Sequence, residues 1–155
     1  MMEYLTLAEI GKILDLGVFY LGTKGTCGNP RVRPMRSNIV HNGKLYFGTT
    51  HNKNLLKHIM QFSGVEICIS TADILALRVR GEARVANHLD VKEALMAKYE
   101  RIATTFENNP NHPILRFSTL KISVRDCRIL MAIFLHTRNS YKVGVILLDS
   151  IIARF

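Results

Sequence analysis

Residues 17–54, GVFYLGTKGTCGNPRVRPMRSNIVHNGKLYFGTTHNKN, contain the pattern that decides the fold. A run rich in β-branched and aromatic residues, Val18–Thr23, meets a Gly-rich turn and is followed by a second extended run, Arg31–Val40. The Asn42-Gly43 pair then predicts a tight hairpin, and Lys44–Gly48 forms the return strand. This order predicts consecutive antiparallel strands that lead into a helix.

The second of these runs has an unusual composition for a strand. Arginines and polar residues occur on both faces of Arg31–Val40, so neither face is purely apolar. Pro34 has no N–H to donate to a neighbouring strand, which places it at a sheet edge or a bulge. Backbone groups beside Pro34 are therefore expected to be available to another partner.

Short helix signals occur before, between and after the strands. Residues 6–9, TLAE, form a capping box for a first helix that ends at Gly17. Thr50 or Asn52 is placed to cap a second helix through residues 55–60. Asp90 opens a third helix, whose apolar stripe consists of Val91, Leu95, Tyr99, Ile102 and Phe106.

Period-2 alternation predicts the remaining strands. It covers residues 65–70 and is clearest over residues 75–86, and weaker patterns predict strands over Ile114–Ile122 and Arg128–Leu135. Many short antiparallel strands with few helices indicate a closed barrel rather than a layered α/β sheet.

Composition restricts the class of protein. The 155 residues are 48% hydrophobic with a mean hydropathy of +0.10, which is typical of one globular domain over residues 1–155. Three cysteines without paired spacing argue against a disulfide framework or a zinc site and favour a reducing cytoplasm. Neither a signal peptide nor an apolar run of the ~20 residues that span a bilayer is found.

The net charge of +9 is compatible with several kinds of partner. Nucleic acid, an anionic membrane surface and phosphorylated small molecules would all be attracted, and a merely basic surface is an equal alternative. His51 and His58 are seven residues apart, but no third ligand accompanies them, so they are expected to be structural and no metal site is predicted.

The region from the second strand to the second helix has the groups that a phosphate monoester needs. Arg33, Thr49, Thr50 and Lys53 supply charged and hydroxyl donors, and the helix after Asn52 supplies backbone amides. The irregular strand around Pro34 would offer backbone groups to an isoalloxazine ring. The alternative is that Arg31, Arg33 and Arg36 lie on a solvent-exposed strand face and bind no ligand.

At these residues the chain resembles the flavin-binding split barrels related to pyridoxamine 5'-phosphate oxidase. The resemblance covers roughly residues 10–107, through the pieces GNPRVRP, NGKLYFGTTHNK and LRVRGEARV. It implies a mainly β fold with α, a six-stranded antiparallel split barrel with Greek-key connections and short flanking helices. It also implies a homodimer with two FMN molecules at the interface.

The resemblance also implies roles for individual residues. Arg33, Pro34 and Met35 would face the flavin ring and the ribityl chain. The phosphate would be surrounded by Thr49, Thr50, Asn52 and Lys53, and Gly48 would allow its close approach.

The chain departs from the vitamin-B6 oxidases, since it has no Trp and no Arg-Leu-His motif near its end. The expected activity is therefore a flavin-dependent reduction of a small molecule by NAD(P)H, in which the flavin carries the hydride and no catalytic side chain is required. The alternative is a protein on the same barrel that binds flavin, heme, a deazaflavin or, less expected, nucleic acid without turnover.

Overall fold

The computed structural model describes the backbone of residues 5–50, 53–71, 75–107, 117–137 and 140–146. Four helices occur in these ranges: α1 (Leu7–Leu14), α2 (Asn54–Gln61), α3 (Leu89–Lys98) and α4 (Glu100–Glu107). Eight strands accompany them: β1 (Phe19–Lys24), β2 (Pro30–Met35), β3 (Asn38–His41), β4 (Lys44–Thr50), β5 (Gly64–Ser70), β6 (Leu75–Val85), β7 (Phe117–Thr137) and β8 (Ser140–Ile146).

The strands form one curled antiparallel sheet. Its order is β2-β1-β5-β6-β7-β4-β3, and β8 pairs with β7 beyond the region where β7 pairs with β4. The edge strands β2 and β3 are separated in sequence only by Arg36 and Ser37. Three Cα steps reach at most about 11 Å, so the two edges of the sheet approach each other at this link. The sheet is consequently a half-barrel.

The predicted fold class, a split barrel of mainly β structure, is confirmed, and four details of the sequence interpretation are corrected. The described strands number eight rather than six, and β2 and β3 do not pair, so the barrel is split rather than closed. The predicted single strand Arg31–Val40 is broken at Arg36, and β7 runs continuously through the gap predicted between Ile122 and Arg128. The start of the predicted strand at Ile114 lies outside the described residues.

Local signals were read correctly at the start of α1, at the β3–β4 turn and at Pro34. Thr6 and Glu9 form the predicted capping box at the start of α1. Asn42 and Gly43 have φ angles of 48° and 68°, the left-handed pair that a type I′ hairpin needs. Pro34 lies on the edge strand β2, as its missing N–H predicts.

The core lies inside the curl of the sheet. Phe19 of β1 and Phe47 of β4 are fully buried, with ring centroids 4.9 Å apart. The apolar faces of α1 and α2 cover this interior, and the buried residues of the two helices include Ile10, Leu14, Leu55 and Ile59. Each such side chain stabilises the fold by about 1.5–3 kcal/mol through burial.

A second, smaller apolar cluster lies on the other face of β4. Val91 and Leu95 of α3 pack there with Tyr46, and Tyr99 and Ile102 contact the cluster, which confirms this part of the predicted stripe. The side chain of Phe106 lies outside the described part of the structure. The stripe belongs to two helices, because the backbone of Tyr99 is extended (φ −124°, ψ 95°) and separates α3 from α4.

In the described ranges, we find no helix with the length and apolar character needed to cross a bilayer.

Candidate functional site

A cavity of about 670 Å³ lies where the two edges of the half-barrel meet, beside the start of α2; we call it the α2 cavity. Its volume is within the usual range of small-molecule sites, ~300–1,000 Å³. Six of the predicted site residues line it: Pro34, Met35, Gly48, Thr49, Thr50 and Lys53.

The strand register explains why these residues converge. The β3–β4 hairpin pairs Asn38 with Phe47, so the residues just before Asn38 lie beside those just after Phe47. Arg36 is thereby brought next to Thr49, and β4 ends at Thr50, close to the start of α2. The β2–β3 link and the end of β4 therefore form adjoining walls of the α2 cavity.

Two cations face the α2 cavity from these walls. Arg36 comes from the β2–β3 link, and Lys53 comes from the start of α2. Both side chains are exposed, and neither has an ion-pair partner among the residues that the structure describes. Positive charge without a protein counterion at a cavity wall favours an anionic ligand.

Thr49 adds a second, independent indication of a polar ligand. The residue is 5% exposed, and its Oγ1 atom is buried without a hydrogen-bond partner in the described part of the chain. A buried unpaired hydroxyl costs about 1–3 kcal/mol. A ligand oxygen that accepts its hydrogen bond would remove that cost.

The start of α2 differs from the predicted one. Lys53, and not Thr50 or Asn52, is the N-cap residue, because its backbone is extended (φ −78°, ψ 142°) directly before the first helical residue. The side chain of Lys53 makes no capping hydrogen bond, so it leaves the amides of the first turn available to a ligand. The predicted site residue Asn52, with His51, lies outside the described residues.

Arg33, which was expected to face the flavin, is not among the described residues that line the α2 cavity. Its guanidinium donates to Thr23 Oγ1 at 3.0 Å and to His58 Nδ1 at 2.9 Å. Arg33 lies opposite the buried Leu21 on the interior face of β2, where Thr23 and His58 hold its guanidinium.

His58 is a structural histidine, as expected. It is 7% exposed, and burial, with the charges of Arg33 and Arg31, lowers its pKa. Since a guanidinium can only donate, the Nδ1 atom of His58 accepts and carries no proton. The imidazole is therefore neutral, with its proton on Nε2.

A polar network that the sequence did not reveal closes one side of the α2 cavity. The carboxylate of Asp15 accepts from Lys98 Nζ at 2.8 and 2.9 Å and from Asn38 Nδ2 at 2.8 Å. The phenol of Tyr99 lies 3.0 Å from Asp15 Oδ1 and accepts from the Asn38 N–H at 3.1 Å. Burial raises the pKa of Tyr99, and this phenol is protonated at neutral pH.

This network affects the charge of the α2 cavity. Asp15 is the one carboxylate among the described lining residues, and Lys98 neutralises it. Arg36, Lys53 and Arg101 are the cations of the same lining. The wall therefore carries a net positive charge. An apolar side made by Val18, Met35 and Ile102 completes a surface suited to a phosphorylated ligand with a flat apolar part.

Several known structures share this architecture. A NimC/NimA family protein from Clostridium acetobutylicum matches with a TM-score of 0.64 at 22% identity, over 88% of each chain. A pyridoxamine 5'-phosphate oxidase-related, FMN-binding protein from Nostoc punctiforme gives 0.63 at 15% identity, over 90% of this chain and 95% of its own. A protein related to general stress protein 26, of the pyridoxine phosphate oxidase family and also from C. acetobutylicum, gives 0.62 at 14% identity, over 90% of this chain and 94% of its own.

No protein-family model matches the sequence, and no curated protein matches it. The structural matches confirm the split-barrel fold that the sequence resemblance implied. Since a shared fold hosts many functions, the function is argued from the α2 cavity itself.

Proposed function

We propose that the protein binds FMN in the α2 cavity and acts as a flavin-dependent oxidoreductase. The observation that carries the proposal is the meeting of Arg36 and Lys53 with the buried, unpartnered hydroxyl of Thr49 at one cavity wall. The FMN-binding protein from Nostoc punctiforme, which has the same fold, supports the choice of flavin among phosphorylated ligands.

The phosphate is assigned to the wall at the start of α2. Lys53 and Arg36 would form charge-assisted hydrogen bonds to its oxygens, and Thr49 and Thr50 would donate their hydroxyls. The uncapped first turn of α2 would add backbone amides and the positive end of its dipole. Asn52 is included among the proposed phosphate-binding residues only because the sequence resemblance implies it.

The isoalloxazine ring is assigned to the apolar side of the cavity. Met35 and Ile102 would contact its faces, and backbone groups beside Pro34 would hydrogen-bond its polar edge. When bound, the flavin supplies the hydride chemistry. The chain's own residues would orient the ring and keep water from its covered face, while Arg36 and Lys53 would hold the phosphate at the other end of the ligand.

We propose that a nicotinamide dinucleotide donates electrons to the flavin and that a small molecule accepts them. The proposed location of the protein is the cytoplasm. We further propose a homodimer that completes each flavin pocket. The exposed apolar residue Tyr20 (50%) on the outer face of β1 supports such a contact.

The experiment is a spectroscopic one. Purified wild-type protein mixed with FMN should quench flavin fluorescence at one FMN per chain, and NADH or NADPH should bleach the bound flavin under anaerobic conditions. Lys53→Ala should weaken FMN binding, whereas Lys57→Ala, an exposed lysine of α2 outside the cavity lining, should not. Equal affinity of both variants and wild type would contradict the site.

Binding without turnover is the second candidate. A protein that binds FMN but is not bleached by either nicotinamide donor would support this candidate over the oxidoreductase.

A further inference from the structure

A second cavity, of about 640 Å³, lies on the sheet at the β1–β2 hairpin; we call it the hairpin cavity. It extends across β2, β1, β5 and β6, and its described lining shares no residue with that of the α2 cavity. Val32 lies in its lining and Pro34 in that of the α2 cavity, so the two cavities are neighbours along β2.

The hairpin cavity is positively charged. Lys24, Arg31 and Arg80 line it, and Glu66 is the one acidic residue of its described lining. Glu66 is held by two cations, since Arg78 donates to it from Nε at 2.6 Å and Arg80 Nε lies 3.6 Å from it. The carboxylate therefore does not compensate the charge of Lys24 and Arg31.

Of the three cations in this lining, Lys24 and Arg31 have no carboxylate partner in the described part of the chain. The Nζ atom of Lys24 lies 4.4 Å from the centroid of the Phe62 ring, a cation–π contact that fixes the stem and keeps the charge. Arg31 Nη2 donates to Cys27 Sγ at 3.5 Å. Both side chains are thus positioned beside the cavity while their charges remain available.

The wall of this cavity carries few side chains. Four of its lining residues are glycines: Gly22, Gly28, Gly64 and Gly81. Gly28 has a φ of +89° in the hairpin turn, and the β6–β7 register shifts between Arg80 and Gly81. Because glycines have no side chain, a ligand can approach the cavity wall closely at these positions.

Another arginine, Arg33, adds positive charge close to the hairpin cavity. Arg33 donates to Thr23, a lining residue that is 6% exposed. Burial first, and then the charge of Arg31, lowers the pKa of Arg33. The pKa of the Cys27 thiol is also lowered, first by the N–H of Asn29 and then by Arg31. These shifts agree with an excess of positive charge around the cavity.

We propose that the hairpin cavity is a second anion site, which takes the phosphate group of a small molecule through Lys24 and Arg31. The site is independent of flavin binding and does not rest on the proposed function. A nucleotide and free phosphate share the recognised chemistry, and the experiment separates them.

Isothermal titration of the full chain uses ADP, adenosine, inorganic phosphate and a short DNA duplex as probes. ADP should bind and adenosine should not, because adenosine lacks the phosphates. Lys24→Gln and Arg31→Gln should each weaken ADP binding by about tenfold, as expected for loss of one charge-assisted contact. Lys57→Gln is the charge-matched control and should bind as wild type does.

The comparison between ligands assigns the source of the phosphate. Inorganic phosphate that binds as tightly as ADP supports the same site with free phosphate as its ligand. Equal binding of adenosine, or tighter binding of DNA than of ADP, would overturn the small-molecule phosphate site. So would wild-type ADP affinity in both variants, or loss of ADP binding in Lys53→Ala, which would place ADP in the α2 cavity.

Two controls separate this inference from the flavin site and from misfolding. FMN affinity should be unchanged in Lys24→Gln and Arg31→Gln, whose side chains are exposed and outside the α2 cavity. Thermal unfolding should confirm that both variants fold. If either variant is unstable, competition between ADP and pyrophosphate for the wild-type chain tests the proposal instead. Failure of pyrophosphate to compete with ADP would contradict the proposal.

Discussion

Arg33 donates a hydrogen bond to Nδ1 of His58 across 2.9 Å and thereby ties the edge strand β2 to α2. This contact directs the guanidinium into the half-barrel and away from the α2 cavity. The nearby Arg36, on the link between the two edges of the sheet, lines the cavity instead. The proposed phosphate grip therefore consists of Arg36 and Lys53.

Replacing Arg33 and replacing Arg36 with alanine should have different consequences. Arg36→Ala should weaken FMN binding about tenfold, because one charge-assisted contact contributes ~1.5–3 kcal/mol when shielded. Arg33→Ala should mainly lower stability, because it removes the guanidinium that donates to the buried Thr23 and His58. Fluorescence titration with FMN and urea unfolding of each variant measure the two effects. Reversed effects would return Arg33 to the flavin site.

Thr49→Val should separate ligand binding from folding. Valine has the same shape but lacks the buried hydroxyl that has no partner among the described residues. The free energy of unfolding of the FMN-free protein should be unchanged or higher, since an unpaired buried group is removed. FMN affinity should fall. A variant that is less stable without FMN and binds it normally would show that the hydroxyl serves the fold.

The stability of the fold should decrease as the pH falls below the usual histidine pKa of 6.5. The lowered pKa of His58 means that the unfolded chain binds a proton there before the folded chain does. The free energy of unfolding should therefore fall between pH 6.5 and the lower folded pKa, by at most about 1.4 kcal/mol per pH unit.

The variant His58→Asn should lack the pH-dependent part of the stability that His58 contributes. Its side-chain amide still offers an acceptor to Arg33. Urea unfolding of both proteins at several pH values from 7.5 to 5.5 compares the slopes. Arg33→Gln should reduce the decrease and not abolish it, because burial remains. Identical slopes in wild type and His58→Asn would contradict the neutral, buried imidazole.

Tyr99→Phe should destabilise the protein by about 1–3 kcal/mol, since it removes the acceptor of the Asn38 N–H and a contact to Asp15. Tyr20→Phe is the matched control, because Tyr20 is 50% exposed and its hydroxyl has no partner among the described residues. Chemical denaturation of the two variants measures the difference. Equal, small losses would mean that the network around Asp15 contributes little.

Short-range features were predictable from the sequence because their causes are local. The Thr6–Glu9 capping box and the Asn42-Gly43 turn depend on residues a few positions apart. The edge position of Pro34 follows from a single missing N–H. The convergence of β2, β4 and α2 on one cavity was inferred from the order of these signals.

Long-range pairing could not be read in the same way. Tyr99 contacts Asp15 across 84 residues, and nothing in the apolar stripe around Tyr99 distinguishes it from a core residue. Arg33 and Arg36 are both arginines in one basic run, and the face that each occupies depends on where β2 ends. Apolar residues at consecutive positions of β7 obscured its period-2 pattern, and the continuous strand was read as two.

The preference of the protein for FMN over riboflavin tests the phosphate grip most directly, because the two ligands differ only in the phosphate. With two charged contacts at the lower end of ~1.5 kcal/mol each, FMN should bind the wild-type chain at least about 100-fold more tightly. The preference should shrink in Lys53→Ala and Arg36→Ala. Equal affinity for FMN and riboflavin, or no binding of either, would contradict the account.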